Sequence, residues 1–202
     1  FSVYELIVNQ IRATNGSLWV SDAIKITDVA VSGANFICSI DTDDGTIAPP
    51  FVANDIVRCQ IFNGKNLKYY TARVVSVTSS SFTITKLEGA SNPEPGDELV
   101  RIGNTTNANR QGALYLTSSD SGAPFLDVVD GVTSASLAGK TKVRLGKLDG
   151  IVDPDFGALS GYGLYAQNGF FKGVVRVANG SNVYTMDQTD EAIDAIEVGG
   201  RN

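Results

Sequence analysis

Residues 55–77 read Asp55-Ile56-Val57-Arg58-Cys59-Gln60-Ile61-Phe62-Asn63-Gly64-Lys65-Asn66-Leu67-Lys68-Tyr69-Tyr70-Thr71-Ala72-Arg73-Val74-Val75-Ser76-Val77. Both arms are dense in β-branched and aromatic residues, the types that fit a pleated, half-buried surface. Asn63-Gly64 lies between them, and such a pair takes positive φ at little cost, so it favours a tight hairpin. This stretch predicts two long antiparallel strands.

The same grammar extends outward. Upstream, Phe36–Ile40 reads as a strand that ends in the polar turn Asp41-Thr42-Asp43-Asp44-Gly45, and Pro49-Pro50 punctuates before Asp55. Downstream, Thr78–Ser81 turns the chain into Phe82-Thr83-Ile84-Thr85, where apolar positions alternate. Pro93, Pro95 and Gly96 then precede a strand over Glu98–Ile102. Asp55-Ile56-Val57-Arg58 and Asp97-Glu98-Leu99-Val100-Arg101 echo each other, each with an acidic turn residue ahead of a strand that ends in Arg. Short strands at this spacing predict a small barrel-like unit over 34–103.

Before it, Leu6–Ala13, Asn15-Gly16 and Leu18-Trp19-Val20 predict an N-terminal β-hairpin within 1–33, with Ile24-Lys25-Ile26 prolonging it. After it, residues 104–202 are punctuated by glycine every few residues, too often for helices of ordinary length. Short apolar pieces lie between the glycines: Ala113–Leu116, Phe125–Val129, Val143–Leu145, Gly163–Ala166 and Val174–Val177. Strands this brief bury little on their own and gain stability by lying against neighbours or other chains. Thr189–Val198 is expected to be a short helix. The fold class expected is all-β, with a Gly-rich region of fibre type.

Among 202 residues, 43% are hydrophobic and 19% charged, a globular balance. Lys and Arg number 16 against 22 Asp and Glu, a net charge of −6, and the basic residues are scattered singly. Nucleic acid is therefore not an expected partner, because phosphate binding needs a basic face. No apolar run approaches the roughly 20 residues that cross a bilayer, so membrane insertion is not expected. The chain opens on Phe1 in strand-like sequence, which suggests a piece of a longer polypeptide.

There is no histidine. That removes Ser-His-Asp and Cys-His nucleophilic catalysis and the usual proton shuttle at neutral pH. Cys38 and Cys59 sit in strand-like runs and read as small reduced core residues, a disulfide being the alternative. Asp41, Asp43, Asp44 and Gly45 suggest calcium, but the spacing lacks the further ligands of a twelve-residue loop, so a turn is expected. Asp149, Asp153 and Asp155 suggest the two carboxylates of a glycosidase, yet Asp153-Pro154-Asp155-Phe156-Gly157 equally reads as a turn. Gly161-Tyr162-Gly163 lacks the helix and Lys-Ser/Thr of a phosphate loop. No catalytic, cofactor or metal residue is expected.

Two groups remain as contact candidates. Lys65, Asn66, Lys68, Tyr69 and Tyr70 place aromatic rings beside hydrogen-bonding groups, a surface that suits a sugar or a protein. Phe170 and Phe171, adjacent in an extended segment, must point to opposite faces, so one of them is a candidate inter-chain contact. Asn15-Gly16-Ser17, Asn104-Thr105-Thr106 and Asn179-Gly180-Ser181 match the glycosylation triplet, with no function attached.

Several stretches resemble the tail structural proteins of tailed phages and prophages. They are Gly96-Asp97-Glu98-Leu99-Val100, Gly103–Thr106, Arg110–Leu116, Gly139-Lys140 with Arg144-Leu145-Gly146, and Gly150-Ile151 with Asp153-Pro154. The fullest is Leu159–Asn168 followed by Phe171-Lys172-Gly173, while Ile56–Gln60 and Lys68-Tyr69-Tyr70 fit the same family. The likeness spans roughly residues 50 to 175. It implies a virion component of the tail fibre or tail tip, a homotrimer that contacts other tail proteins, supports host attachment through a surface glycan or protein, and does no chemistry. The rival expectations are a bacterial cell-surface adhesin or carbohydrate-binding module, and a polysaccharide-cleaving tail spike using Asp149, Asp153 or Asp155.

Overall fold

The strands of residues 55–77 pair from Ile56↔Arg73 to Asn63↔Asn66, and the rest of the chain is built outward from that hairpin. The computed structural model describes residues 17–63, 66–170 and 172, with side chains at 61–67 left aside. Residues up to Gln167 belong to one body, and a second begins at Asn168.

Among the described residues the first strands are β1 (Ser17–Val20), β2 (Ala23–Lys25), β3 (Asp28–Ser32) and β4 (Asn35–Ser39). Next come β5 (Asp55–Asn63), β6 (Asn66–Val77), β7 (Ser81–Glu88) and β8 (Glu98–Asn104). After a single 3-10 turn, Ala108–Arg110, follow β9 (Ala113–Thr117), β10 (Phe125–Val129) and β11 (Thr141–Lys147). The last three are β12 (Val152–Asp153), β13 (Gly157–Ala158) and β14 (Tyr162–Ala166). The fold is all-β.

Among the described residues one sheet has seven strands in the order β2-β8-β5-β6-β7-β4-β3, a second has five in the order β1-β9-β10-β11-β14, and β12-β13 form a ribbon. A curled, half-barrel sheet is present. Curling lets one face of the seven-stranded sheet bury itself. Val57, Cys59, Tyr70, Ala72, Val74, Phe82, Ile84, Cys38 and Leu99 all point inward, joined by Ile26, Ile40 and Phe51 from the connections. Phe51 meets Phe82 edge to face at 5.2 Å, closing the open side.

β5 is buried on both faces, which is why Asp55 to Cys59 are buried without a break. Its outward residue Ile56 joins Ile102, Val129 and Val132 in a second core between the sheets, flanked by Trp19 and Leu137. Gly103 sits at this crossing: a Cβ there would lie 2.3 Å from the Val132 carbonyl oxygen, so the backbones can approach only without one.

The connections before β5 and β8 repeat one device. Asp55 accepts from the Val52 N–H at 2.8 Å and Asp97 from the Glu94 N–H at 2.9 Å, each carboxylate capping the residue three before it. The residue ahead of each is left-handed, Asn54 at φ 72° and Gly96 at φ 92°. The echo in the sequence is thus a repeated turn. Each buried carboxylate also holds a cation, Arg110 at 2.7 Å for Asp55 and Lys68 at 2.8 Å for Asp97.

Around Asp55 the pairing becomes a network. Arg110 donates to it through Nε at 2.9 Å and Nη2 at 2.7 Å, and Asn104 adds its amide at 2.8 Å. Arg110 also reaches Asp22, which accepts from Arg101 at 3.0 Å. The bond to Asp55 raises the Arg110 pKa above its ordinary value. Asn104, the first residue of one glycosylation triplet, is wholly buried here.

The pairing departs from the three consecutive stretches expected. Leu18-Trp19-Val20 is a strand, but it pairs with β9, a hundred residues on, while β2 pairs with β8. Among the described residues a hairpin joins β3 to β4 across Gly33, linking stretches 1–33 and 34–103. Alternation marks which residues share a face, but a strand's neighbour is chosen by packing. Trp19 stacks on Tyr115 at 4.0 Å and lies 5.6 Å from the Arg58 guanidinium, contacts invisible in sequence. The Gly-rich pieces from Ala113 to Ala166 pair with one another and β1 in a regular antiparallel sheet. Leu6–Ala13, Val174–Val177 and Thr189–Val198 lie outside the described residues.

Because Asp55 is fully buried, Arg110→Ala leaves a carboxylate without its cation and is expected to cost about 3–5 kcal/mol of stability. Asp22→Ala, at the half-exposed end of the network, is expected to cost about 1 kcal/mol or less. Urea unfolding of the two variants measures the difference; equal losses would refute the ranking.

Candidate functional site

The five-stranded sheet departs from the usual arrangement of its two faces, because polar side chains share its inward face with buried Phe125 and Val129. An antiparallel sheet with one solvated side normally keeps apolar residues in and polar residues out. Here the inward row across the sheet is Trp19, Tyr115, Asp127, Arg144 and Tyr165, each directly opposite the next. The outward row one residue along is Leu18, Leu116, Leu126, Leu145 and Leu164, a leucine on every strand. A second outward row is Val20, Leu114, Val128, Val143 and Ala166. Neither outward row carries a charge, in a chain of net charge −6.

This face is uncovered among the described residues. The five leucines of the first row are 37% to 60% exposed, and Val20 is 57% exposed. At roughly 150–200 Å² per fully exposed aliphatic side chain, these fractions leave about 450–600 Å² of apolar surface, in the upper part of the roughly 300–600 Å² of the largest patch on a typical monomer, a patch that is often functional. A shallow groove of about 760 Å³ crosses it between Leu18, Leu126, Leu145 and Tyr162.

The inward face is held by chemistry that the leucine face lacks. Arg144 grips Asp127 through Nε at 2.6 Å and Nη2 at 2.7 Å, and both are buried. The guanidinium lies 3.6 Å from the centre of the Phe125 ring, and Thr141 donates to Asp127 at 3.0 Å. Tyr115 donates to Asp120, and Tyr165 donates to Asp153 at 2.8 Å. Between this face and segment 150–154 opens a cleft of about 760 Å³ with Phe125, Arg144, Asp153, Tyr165 and Gln167 among its lining.

The residues singled out in the sequence scatter. Tyr70 is completely buried and donates to Asp97 at 2.9 Å, so it offers no surface to a ligand: its side of β6 faces the curled sheet's interior. Tyr69 faces the other way, donates to Glu88 at 2.6 Å and lies 5.3 Å from the Arg58 guanidinium. Lys68 is spent on Glu94 at 2.7 Å and Asp97 at 2.8 Å. Lys65 lies outside the described residues, as does the side chain of Asn66. Phe170 is 96% exposed, and Phe171 lies outside the described residues.

The acidic clusters are turns. Asp41 accepts from the Asp43 N–H at 3.1 Å, and Asp153 accepts from the N–H groups of Asp155 at 2.9 Å and Phe156 at 3.1 Å. Asp149 is bonded by Lys147 at 2.8 Å and by the Gly161 N–H at 3.1 Å. Lys147 holds the Asp149 carboxyl below its ordinary pKa, and the Tyr165 hydroxyl does the same for Asp153. The acid of a glycosidase pair needs the opposite shift.

The leucine row is the feature that sequence reading missed. Each piece was visible as apolar, but only the register aligns them. No family model matches the chain, and no curated protein or solved structure is similar to it.

Cys38 and Cys59 are free and buried, and burial, aided by Asp97, pushes both thiols up to about 12. A thiol pKa raised in the folded state favours folding below the ordinary value of 9.0 and loses that contribution as pH rises toward 12. The unfolding midpoint should therefore fall across this range, and Cys38→Ala with Cys59→Ala should flatten the fall. An unchanged slope in a urea series from pH 8 upward would contradict it.

Proposed function

We propose that the chain is a non-enzymatic structural component of a phage tail, a fibre or tail-tip module that assembles in several copies and supports attachment to the host. The observation that carries this reading is the uncharged leucine face turned outward from a sheet whose polar residues are turned in. An uncharged apolar patch of that size is often an interaction surface, so the module is read as part of an assembly. The resemblance over residues 50 to 175 supplies the context: a virion, with other tail proteins as neighbours.

The module's rigidity suits a load-bearing role. Its two sheets are tied by an ionic network and a shared core rather than by a flexible joint. Host contact would be made with a surface glycan or protein.

A second reading, a bacterial surface adhesin or carbohydrate-binding module, is favoured by the cleft beside Asp153, Tyr165 and Gln167. Polar planar groups beside aromatic rings in one hollow suit a saccharide.

Mass spectrometry of tailed particles purified after prophage induction separates the two. The tail reading expects this chain at a fixed ratio to the other tail proteins. Its absence from particles, together with its recovery from washed cell envelopes, would replace the tail reading with the adhesin.

A further inference from the structure

We infer that the leucine face is the contact between copies of this chain, each copy laying its own face against another's. The inference rests on the assembly reading above and names the occupant of that surface.

Three observations identify the occupant as another copy. The first is charge. A net charge of −6 opposes association of like chains, yet the ten positions of the two outward rows are all neutral, so copies can meet along these rows without setting like charges against each other. A partner of opposite charge would call for acidic residues here, and the rows hold none.

The second is self-complementarity. β10 is the middle of the five described strands. A copy turned about an axis along β10 sets β1 over β14 and β9 over β11, so the leucine row falls on a leucine row: Leu18 over Leu164, Leu116 over Leu145, Leu126 over itself. In the second row Val20 then faces Ala166 and Leu114 faces Val143, a larger residue meeting a smaller one each time. Facing surfaces of a self-association must match in this way, because each residue meets its counterpart's partner.

The third is size. The roughly 450–600 Å² left open by these six side chains is the larger part of the about 800 Å² that each partner contributes to a standard interface, the second row and the rim supplying more. Two such sheets would pack about 10 Å apart, with the side chains of the two inner faces interdigitating.

The chain's own segments outside the described residues are the competing occupants, and a short-range cross-link separates them from a second copy. Light scattering of the full chain at micromolar concentration is expected to give a mass that is a multiple of 21.3 kDa. Leu126→Glu and Leu145→Glu should each return it to one copy while leaving the β-sheet circular dichroism unchanged. Leu126→Cys should be joined to a second chain by a bismaleimide of roughly 8–10 Å reach, comparable to the spacing of packed sheets. The native thiols, being buried, should stay silent.

A monomer at working concentration would overturn the inference, as would an assembly that survives both glutamates. So would a Leu126→Cys site that stays unlabelled in a single chain, because a segment of the same chain would then cover it. These outcomes leave the chain's presence in tailed particles untouched, and absence from particles with a glutamate-sensitive assembly would overturn the tail reading alone.

Discussion

A carboxylate taken out of water must be met by a cation and by hydrogen-bond donors, and Asp55 sets the form of this molecule by meeting that demand. Its partners come from β8 in Asn104, from the 3-10 turn in Arg110 and from its own turn in Val52. Through Arg110 and Arg101 the network reaches Asp22, between β1 and β2. Asp22, and Asn104 with Arg110, lie where the chain passes from one sheet to the other, between β1 and β2 and between β8 and β9. Satisfying one buried charge therefore fixes how the two sheets meet.

The same rule recurs at Asp97 with Lys68 and at Asp127 with Arg144. Asp97 caps the turn before β8 in the seven-stranded sheet, and Asp127 braces the inward face of the five-stranded one. Three buried ion pairs, a core inside the curled sheet and a second between the sheets hold the body on the side away from the leucine face. That face is free to serve between molecules. Its position follows from the pleat: once Asp127 and Arg144 are turned inward, Leu126 and Leu145 must turn outward.

The assembly reading grows from this inversion. Polar residues inside are affordable when each is paired, and apolar residues outside are tolerable when another surface covers them. The arrangement gives a rigid unit with one sticky side, a form suited to stacking or clustering copies into a load-bearing structure. The pKa directions agree with a structural use of the loop acids, since Asp149 and Asp153 are each held in the charged form by a neighbour.

Much of the fold was legible in the residues of single strands. β-branched runs, Asn63-Gly64 and the glycine punctuation established an all-β chain, and the echo at Asp55 and Asp97 marked a repeated turn. The buried cysteines and the Asp41 and Asp153 turns were readable too, because local chemistry decides them. The hairpin partners β5 and β6 were readable from the turn between them, but partners far apart in the chain were not. Pairing Ser17 with Thr117 depends on stacking across a hundred residues, and no local pattern encodes that distance. Nor could the sequence distinguish the two tyrosines at 69 and 70, since period two says they oppose each other without saying which side is core. By itself, then, the sequence determined strand, turn and the alternation of faces, which are set within a few residues by backbone sterics and side-chain shape. The tertiary structure alone decided which face is inside and that five leucines stand in line, because both depend on register between strands far apart in the chain.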